Sequence, residues 1–189
     1  MKVLVAMSGG VDSSVTAALL HEQGHEVIGA TMSLWESTGQ KNAKRCCGVE
    51  EVYGAKAVCD VIGVEHYTFD MHEDFRKKVV DNFLSEYAAG RTPNPCVRCN
   101  QFLKFDVLLA KSKLLGCEAI ATGHYSVIHR DAGKAYLQKA VDDKKDQSYF
   151  LYPILSDDLP KIVFPLGGLT KPEVRALAEK YKLPTAQKP

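Results

Sequence analysis

Hydrophobic and polar positions follow two alternating periods along this chain. Short, mostly apolar runs of strand length occur at Lys2–Met7, Glu26–Met32, Glu65–Met71 and Glu118–Thr122. Between them, apolar residues recur every three or four positions, the spacing of one helix face. These stretches are Ser13–Gln23, Val49–Ile62, Glu73–Ala89 and Asn100–Leu115. The stripe in Val49–Ile62 is Val52, Ala55, Val58, Cys59 and Ile62; that in Glu73–Ala89 is Phe75, Val79, Phe83 and Tyr87. Gly24, Gly63 and Gly116 follow three of the helices, where a left-handed residue commonly ends a helix. Ser33–Arg45, polar and containing Gly39, reads as a flexible excursion, and Arg91–Pro95 as a proline-broken loop.

Strands alternating with helices through short connections predict an α/β fold, a parallel twisted sheet with helices on both faces. In such sheets ligands sit beyond the carboxyl ends of the strands. The turn at Ser8–Ser14, Met32 after the second strand and Gly123 after the fourth all fall on that edge. Past Tyr125 the pattern changes. Ser126–Arg130 and Lys134–Lys139 flank Asp131-Ala132-Gly133, a hairpin signal. Asp146–Leu151 starts a helix-like segment, and Thr170-Lys171-Pro172-Glu173 is a capping box opening a helix to about Tyr181. The expectation is one catalytic domain over 1–189, with core sheet and helices to about 125 and a hairpin and helical extension over 126–189.

Composition adds limits. Apolar residues are 46% of 189, enough for a substantial core, and the net charge of +1 neither announces nor excludes a nucleic acid. Contact with RNA would have to come from local clusters: Lys41, Lys44 and Arg45; Arg91, Arg98 and Lys104; or Lys139, Lys144 and Lys145. Each alone reads equally as a solvated face. The first apolar run leads straight into a glycine turn, so it reads as a strand and not a signal peptide. No run reaches the ~18 residues of a membrane span. A cytoplasmic protein with no membrane partner is the default. There, six cysteines are expected to be reduced, metal-bound or catalytic.

The first turn carries the clearest chemistry. Ser8-Gly9-Gly10-Val11-Asp12-Ser13-Ser14 delivers small residues to a helix start, where backbone N–H groups and the dipole favour a phosphate. It lacks the lysine of the kinase-type phosphate loop. Its paired glycines and serines suit a pyrophosphate unit, and so cleavage between the α and β phosphates. Asp12 is a candidate for Mg²⁺ or for the helix cap, with Ser13 the cap favoured by position.

The second signal is Arg91-Thr92-Pro93-Asn94-Pro95-Cys96-Val97-Arg98-Cys99-Asn100. With a helix beginning near Cys99, that thiol would lie at a helix N-terminus beside Arg98, a setting that favours the thiolate. Half of a zinc site and a redox pair are the alternatives for Cys-x-x-Cys. Cys59 and Cys117 read as core residues, and Cys46-Cys47 as inert or metal-binding. His124, between Gly123 and Tyr125 on the ligand edge, is a candidate substrate contact.

Together these motifs resemble the N-type ATP pyrophosphatases (PP-loop enzymes), and more closely the tRNA-specific 2-thiouridylases of the MnmA/TrmU family. The matching pieces are Ala6–Ser14, Met32 with Trp35, Thr92–Pro95, Cys99-Asn100, Ala121–Tyr125 and Lys145–Leu151, nearly the whole chain in the family's order. The resemblance implies ATP bound by Ala6, Met7, Ser8, Gly9, Gly10, Val11, Asp12, Ser13, Met32 and Gly123. It implies Asn94, Pro95 and Cys96 facing the target base. It also implies Cys99 as catalytic cysteine, and His124, Lys145, Asp146 and Gln147 touching tRNA.

The implied reaction adenylates the C2 oxygen of the wobble uridine and replaces it with sulfur relayed as a persulfide, with ATP and Mg²⁺ as cofactors and a persulfide donor as partner. A disulfide bond is also implied. Two departures stand out. The family's second cysteine and its further tRNA-binding domains fall beyond Pro189, so the chain is expected to be an incomplete enzyme. Cys96 replaces an acidic residue of many relatives, which makes Cys96 and Cys99 candidate ligands, with that later cysteine, of a [4Fe-4S] cluster. Competing functions are another PP-loop enzyme, a different tRNA thiolase or a ligase, and a non-catalytic nucleotide-binding module.

Overall fold

The computed structural model describes residues 1–35 and 48–188. Cys46-Cys47 and the Lys41, Lys44, Arg45 cluster lie outside the described residues. Five parallel strands form one sheet in the order β3-β2-β1-β4-β7: β1 (Lys2–Ala6), β2 (Glu26–Ser33), β3 (Glu65–Asp70), β4 (Ala119–Thr122) and β7 (Ile162–Val163). The hairpin β5 (Val127–Asp131) and β6 (Lys134–Gln138) stands apart as a two-stranded sheet. The strand at Ile162 is absent from the sequence reading because two residues carry no period.

β1 lies at the centre because it is apolar on both faces, as a covered parallel strand must be. Val3 and Val5 face one core cluster with α1 (Val11–Glu22), α2 (Val49–Ile62) and α7 (Lys171–Lys180). Leu4 and Ala6 face the other. That second layer is built of two long helical runs. The first joins α3 (His72–Phe75), a π-helical stretch Arg76–Val80 and α4 (Asp81–Ala88). The second joins α5 (Pro95–Cys99), a π-helical stretch Asn100–Leu108 and α6 (Leu109–Leu114). Each cluster buries more than a dozen apolar side chains. At roughly 1.5–3 kcal/mol for a buried Val or Leu, this burial dominates the favourable side of folding.

Two expectations change. Of the stripe Phe75, Val79, Phe83, Tyr87 only Val79 is fully buried, at 2% exposed; Phe75 and Phe83 are half-buried and Tyr87 is 69% exposed. The second long helix begins at Pro95, not Asn100. Asn94 is the reason. Its Oδ1 accepts the Cys96 N–H at 3.1 Å and the Val97 N–H at 3.2 Å, and Pro95 follows at the first helical position, where its missing N–H costs nothing.

Candidate active site

β1 ends at Ala6, and the chain turns through Met7–Gly10 into α1. The Met7 N–H still donates to Ala30 at 2.7 Å, so the turn starts in register with the sheet. Gly9 has φ of +69°, and a Cβ on it would meet the Glu51 carbonyl oxygen at 2.5 Å. Only glycine lets the loop lie against the first turn of α2. Gly10 occupies the N-cap position of α1 with no side-chain cap. Ser13, expected as cap, instead donates its hydroxyl to the Gly10 carbonyl at 3.1 Å and accepts the Ser8 N–H at 3.2 Å, bracing the loop across its base. The first N–H groups of α1 are thus left to whatever anion approaches.

Gly123 closes the other side. A Cβ there would lie 2.8 Å from the Asp12 carbonyl carbon and the Ser13 nitrogen, so the end of β4 rests directly on the start of α1. Ala6, Met7, Val11 and Met32 are all at most 9% exposed. Met7 and Val11 pack in the first core cluster, Ala6 and Met32 in the second.

Asp12 sits at the centre. Its Oδ1 accepts the Tyr125 hydroxyl at 3.0 Å and the Lys171 ammonium at 2.5 Å. Burial, then the neighbouring Asp12 charge, pushes the Tyr125 phenol far up, so it stays protonated and donates. Lys188 donates to the Gly9 carbonyl at 3.0 Å, and Arg175 holds the Lys188 carbonyl at 3.1 Å. The sequence reading missed Tyr125, Lys171 and Lys188 as site residues. Lys171 reads locally as the first residue of a capped helix, and its contact with Asp12 spans 159 positions.

Among the described residues no group of three His, Cys, Asp or Glu could hold a metal. One carboxylate beside an anion-binding loop fits Mg²⁺, which is usually held by one or two carboxylates plus phosphate oxygens. An iron–sulfur cluster needs three or four ligands. Cys96 and Cys99 would supply two of these.

The cysteine loop has a different register from the one expected. With Asn94 as N-cap, Cys96 is the second helical residue and Cys99 the fifth. Cys96, not Cys99, therefore takes the helix N-terminus, and it is exposed. Cys99 is half-buried against the second core cluster. Cys59, Cys96 and Cys117 are thiols, so no disulfide involves them. Burial lifts the Cys59 thiol to about 12 and raises that of Cys117, which makes both inert core residues.

Hydrogen bonds join the two motifs. Tyr125 donates its hydroxyl to Asp12 and is bonded twice to Gln147: the Gln147 N–H donates to the Tyr125 carbonyl at 2.9 Å, and the Tyr125 N–H to the side-chain Oε1 of Gln147 at 3.0 Å. Three residues on, the Phe150 carbonyl accepts the Asn100 side-chain amide at 3.0 Å, next to Cys99. Asp146 is a staple of this segment. Burial raises its pKa, but bonds from the Ala140 N–H at 2.8 Å and the Ser148 hydroxyl at 2.7 Å outweigh that and hold it below the usual carboxylate range. Lys145 is exposed.

His124, the expected substrate contact, is 9% exposed and packs against Phe105 and Phe164. Nδ1 lies 2.5 Å from Thr122 Oγ1 and Nε2 lies 3.3 Å from the Lys104 ammonium. Burial, then the Lys104 charge, drives its pKa well down, so the ring is neutral. A neutral ring accepting from Lys104 carries its proton on Nδ1 and donates to Thr122. It is a second tie between the cysteine helix run and the end of β4.

A family model described as the tRNA methyl transferase HUP domain matches residues 1–189. The tRNA-specific 2-thiouridylase MnmA of Carboxydothermus hydrogenoformans is 52% identical over 194 residues, an alignment covering 100% of this chain and 53% of that protein. MnmA of Geotalea uraniireducens is 50% identical, with 99% and 52% covered. The chain thus spans about half the length of the curated relatives it matches. Among solved structures, a predicted subunit of tRNA methyltransferase from Methanocaldococcus jannaschii gives a TM-score of 0.56 at 20% identity, covering 95% of this chain and 74% of that one. NMN synthetase from Francisella tularensis gives 0.56 at 17% identity, covering 99% and 64%. At those identities the likeness is one of fold. No described helix is long and apolar enough to cross a membrane. The chain belongs to the tRNA methyl transferase HUP domain family, and the relatives it resembles along its whole length are tRNA-specific 2-thiouridylases.

Proposed function

We propose that this chain is the nucleotide-activating part of a cytoplasmic tRNA-specific 2-thiouridylase. The observation that carries the reading is the hydrogen-bonded path from Asp12 through Tyr125, Gln147 and Phe150 to Asn100, which ties a phosphate-type loop to a cysteine-bearing helix. The relatives' names agree with it. The family model's description speaks of methyl transfer, but methyl transfer gives no role to a pyrophosphate-type loop tied to a cysteine.

In this reading Ala6–Ser13, Met32 and Gly123 hold ATP, with the α1 N–H groups on its phosphates. Asp12 would hold Mg²⁺, which would supply positive charge against the departing pyrophosphate. The uridine C2 oxygen attacks the α-phosphorus and pyrophosphate leaves. A carbonyl oxygen, itself a poor leaving group, becomes part of AMP, a good one. The terminal sulfur of a persulfide then attacks C2 and AMP departs with the oxygen; the Cys99 thiolate attacks the persulfide's inner sulfur, so that the S–S bond breaks, a disulfide forms and 2-thiouridine is left. Cys99 is the catalytic cysteine and Asn94, Pro95 and Cys96 border the base, which must leave its stack to reach them. Asn94 is also committed to its cap, so its side-chain oxygen shapes this wall more than it reads the base. Lys145, Asp146, Gln147 and His124 form the tRNA side. Lys145 is the exposed charge there, Asp146 and Gln147 hold the segment in shape, and His124 ties the end of β4 to Lys104.

The test is Cys99→Ala in the whole protein. Thiolation should vanish while tRNA-dependent pyrophosphate release persists; unchanged thiolation would refute the role of Cys99.

A further inference from the structure

The loop lacks the lysine that reaches the β and γ phosphates in kinase-type phosphate loops. The fold brings two lysines to it from the far end of the chain. Lys171 opens α7 and reaches Asp12; Lys188 reaches the Gly9 carbonyl across 179 positions. Resting on the ATP reading above, we propose that Lys171 and Lys188 are the cationic polyphosphate ligands of this site, supplied by the C-terminal segment.

Three observations carry this. The first is charge. Two ammonium groups converge on the loop, Lys171 on the Asp12 carboxylate and Lys188 on the Gly9 carbonyl, with Asp142 and Arg175 beside them. Three cationic groups thus face two carboxylates, a positive excess before the positive end of α1 is counted. The second is position. Lys188 lies on the loop itself, near Gly54, where an added Cβ would be only 3.0 Å from its Nζ. Lys171 is 19% exposed and stands 5.9 Å above the Tyr125 ring, so its ammonium is held in place. The third is anchoring. The α7 start is fixed by a Lys171 N–H bond to Asp142 at 2.9 Å and by Glu173 accepting the Thr170 N–H at 2.7 Å. The tail is fixed by Arg175 on the Lys188 carbonyl at 3.1 Å. Long, flexible side chains here start from fixed backbones. They lose less freedom when they bind an anion.

An ordinary stabilising ion pair would look different. Lys180, on the same helix, pairs with Glu22 at 3.0 Å with 60% of its side chain exposed, away from any loop. Lys171 is directed at the one acidic group of the turn. A metal ion on the Asp12 carboxylate would displace the Lys171 ammonium, which would then be free to pair with a phosphate oxygen.

The test measures binding of ATP, pyrophosphate and adenosine to the whole protein by calorimetry. Lys171→Ala and Lys188→Ala should each weaken ATP and pyrophosphate binding at least about tenfold and leave adenosine binding unchanged. Lys171→Arg should recover most of the loss, since Arg keeps the charge. Lys180→Ala should behave as wild type, and thermal unfolding identifies any variant that fails to fold. Wild-type binding of ATP with unchanged affinity in both folded alanine variants would overturn this inference and leave the ATP reading standing. No binding of ATP or pyrophosphate by the wild type would overturn both. A loss equal for adenosine and ATP would mean that the lysines only shape the site, and would also overturn the inference.

Discussion

At the scale of single residues, glycines and one histidine bear most of the constraint. Gly9 combines a left-handed φ with a backbone oxygen 2.5 Å from where a Cβ would stand. Gly9→Ala should lower stability by about 1–3 kcal/mol, measured by urea unfolding, and displace the loop from α2. His124 gives a pH prediction. Its pKa is lowered, so below 6.5 the unfolded chain takes a proton that the folded ring refuses. Stability present above 6.5 is therefore lost as pH falls. His66, lowered by burial and Lys56, has the same sign. His124→Gln should flatten, without abolishing, the fall in Tm between about pH 7 and pH 5. The glycines were legible as letters in a turn, and their role followed. The burial of His124 was not, because Phe105 and Phe164 reach it only through tertiary packing.

At the scale of elements, the cysteine helix shows what local sequence determines and where it misleads. Asn94-Pro95 reads as the end of a loop, though the pair is also a cap and a first helical residue. Taking the cap instead moves the helix start five residues, so that Cys96 takes the N-terminus. Asn94→Ala should cost about 0.5–2 kcal/mol, and Asn94→Asp should recover it, by thermal or chemical unfolding. Thiol exposure gives a second check. Brief alkylation of the native protein near pH 8, read by peptide mass spectrometry, should label Cys96 and leave Cys59 untouched until denaturant is added. Labelling of Cys59 at the Cys96 rate would contradict its place in the core. The strands and α2 were readable because each keeps one period for its whole length. β7 and the α7 contacts were not.

At the scale of the molecule, two motifs far apart in the chain are linked through the extension, by the Tyr125–Gln147 bonds and the Asn100–Phe150 bond. Periodicity placed the loop, Met32 and Gly123 on that edge. It could not place the C-terminal segment, since contacts across 159 and 179 positions leave no local trace. The central claim is that ATP is split at its α–β bond to activate a tRNA base that then receives sulfur at a site including Cys99. The most direct measurement follows pyrophosphate release and 2-thiouridine formation together, in the whole protein and its Cys99→Ala variant, with tRNA, ATP and a persulfide donor. The account predicts both products from the wild type, and tRNA-dependent pyrophosphate without 2-thiouridine from the variant. Thiolation by the wild type with no pyrophosphate released, or equal thiolation by both proteins, would contradict it.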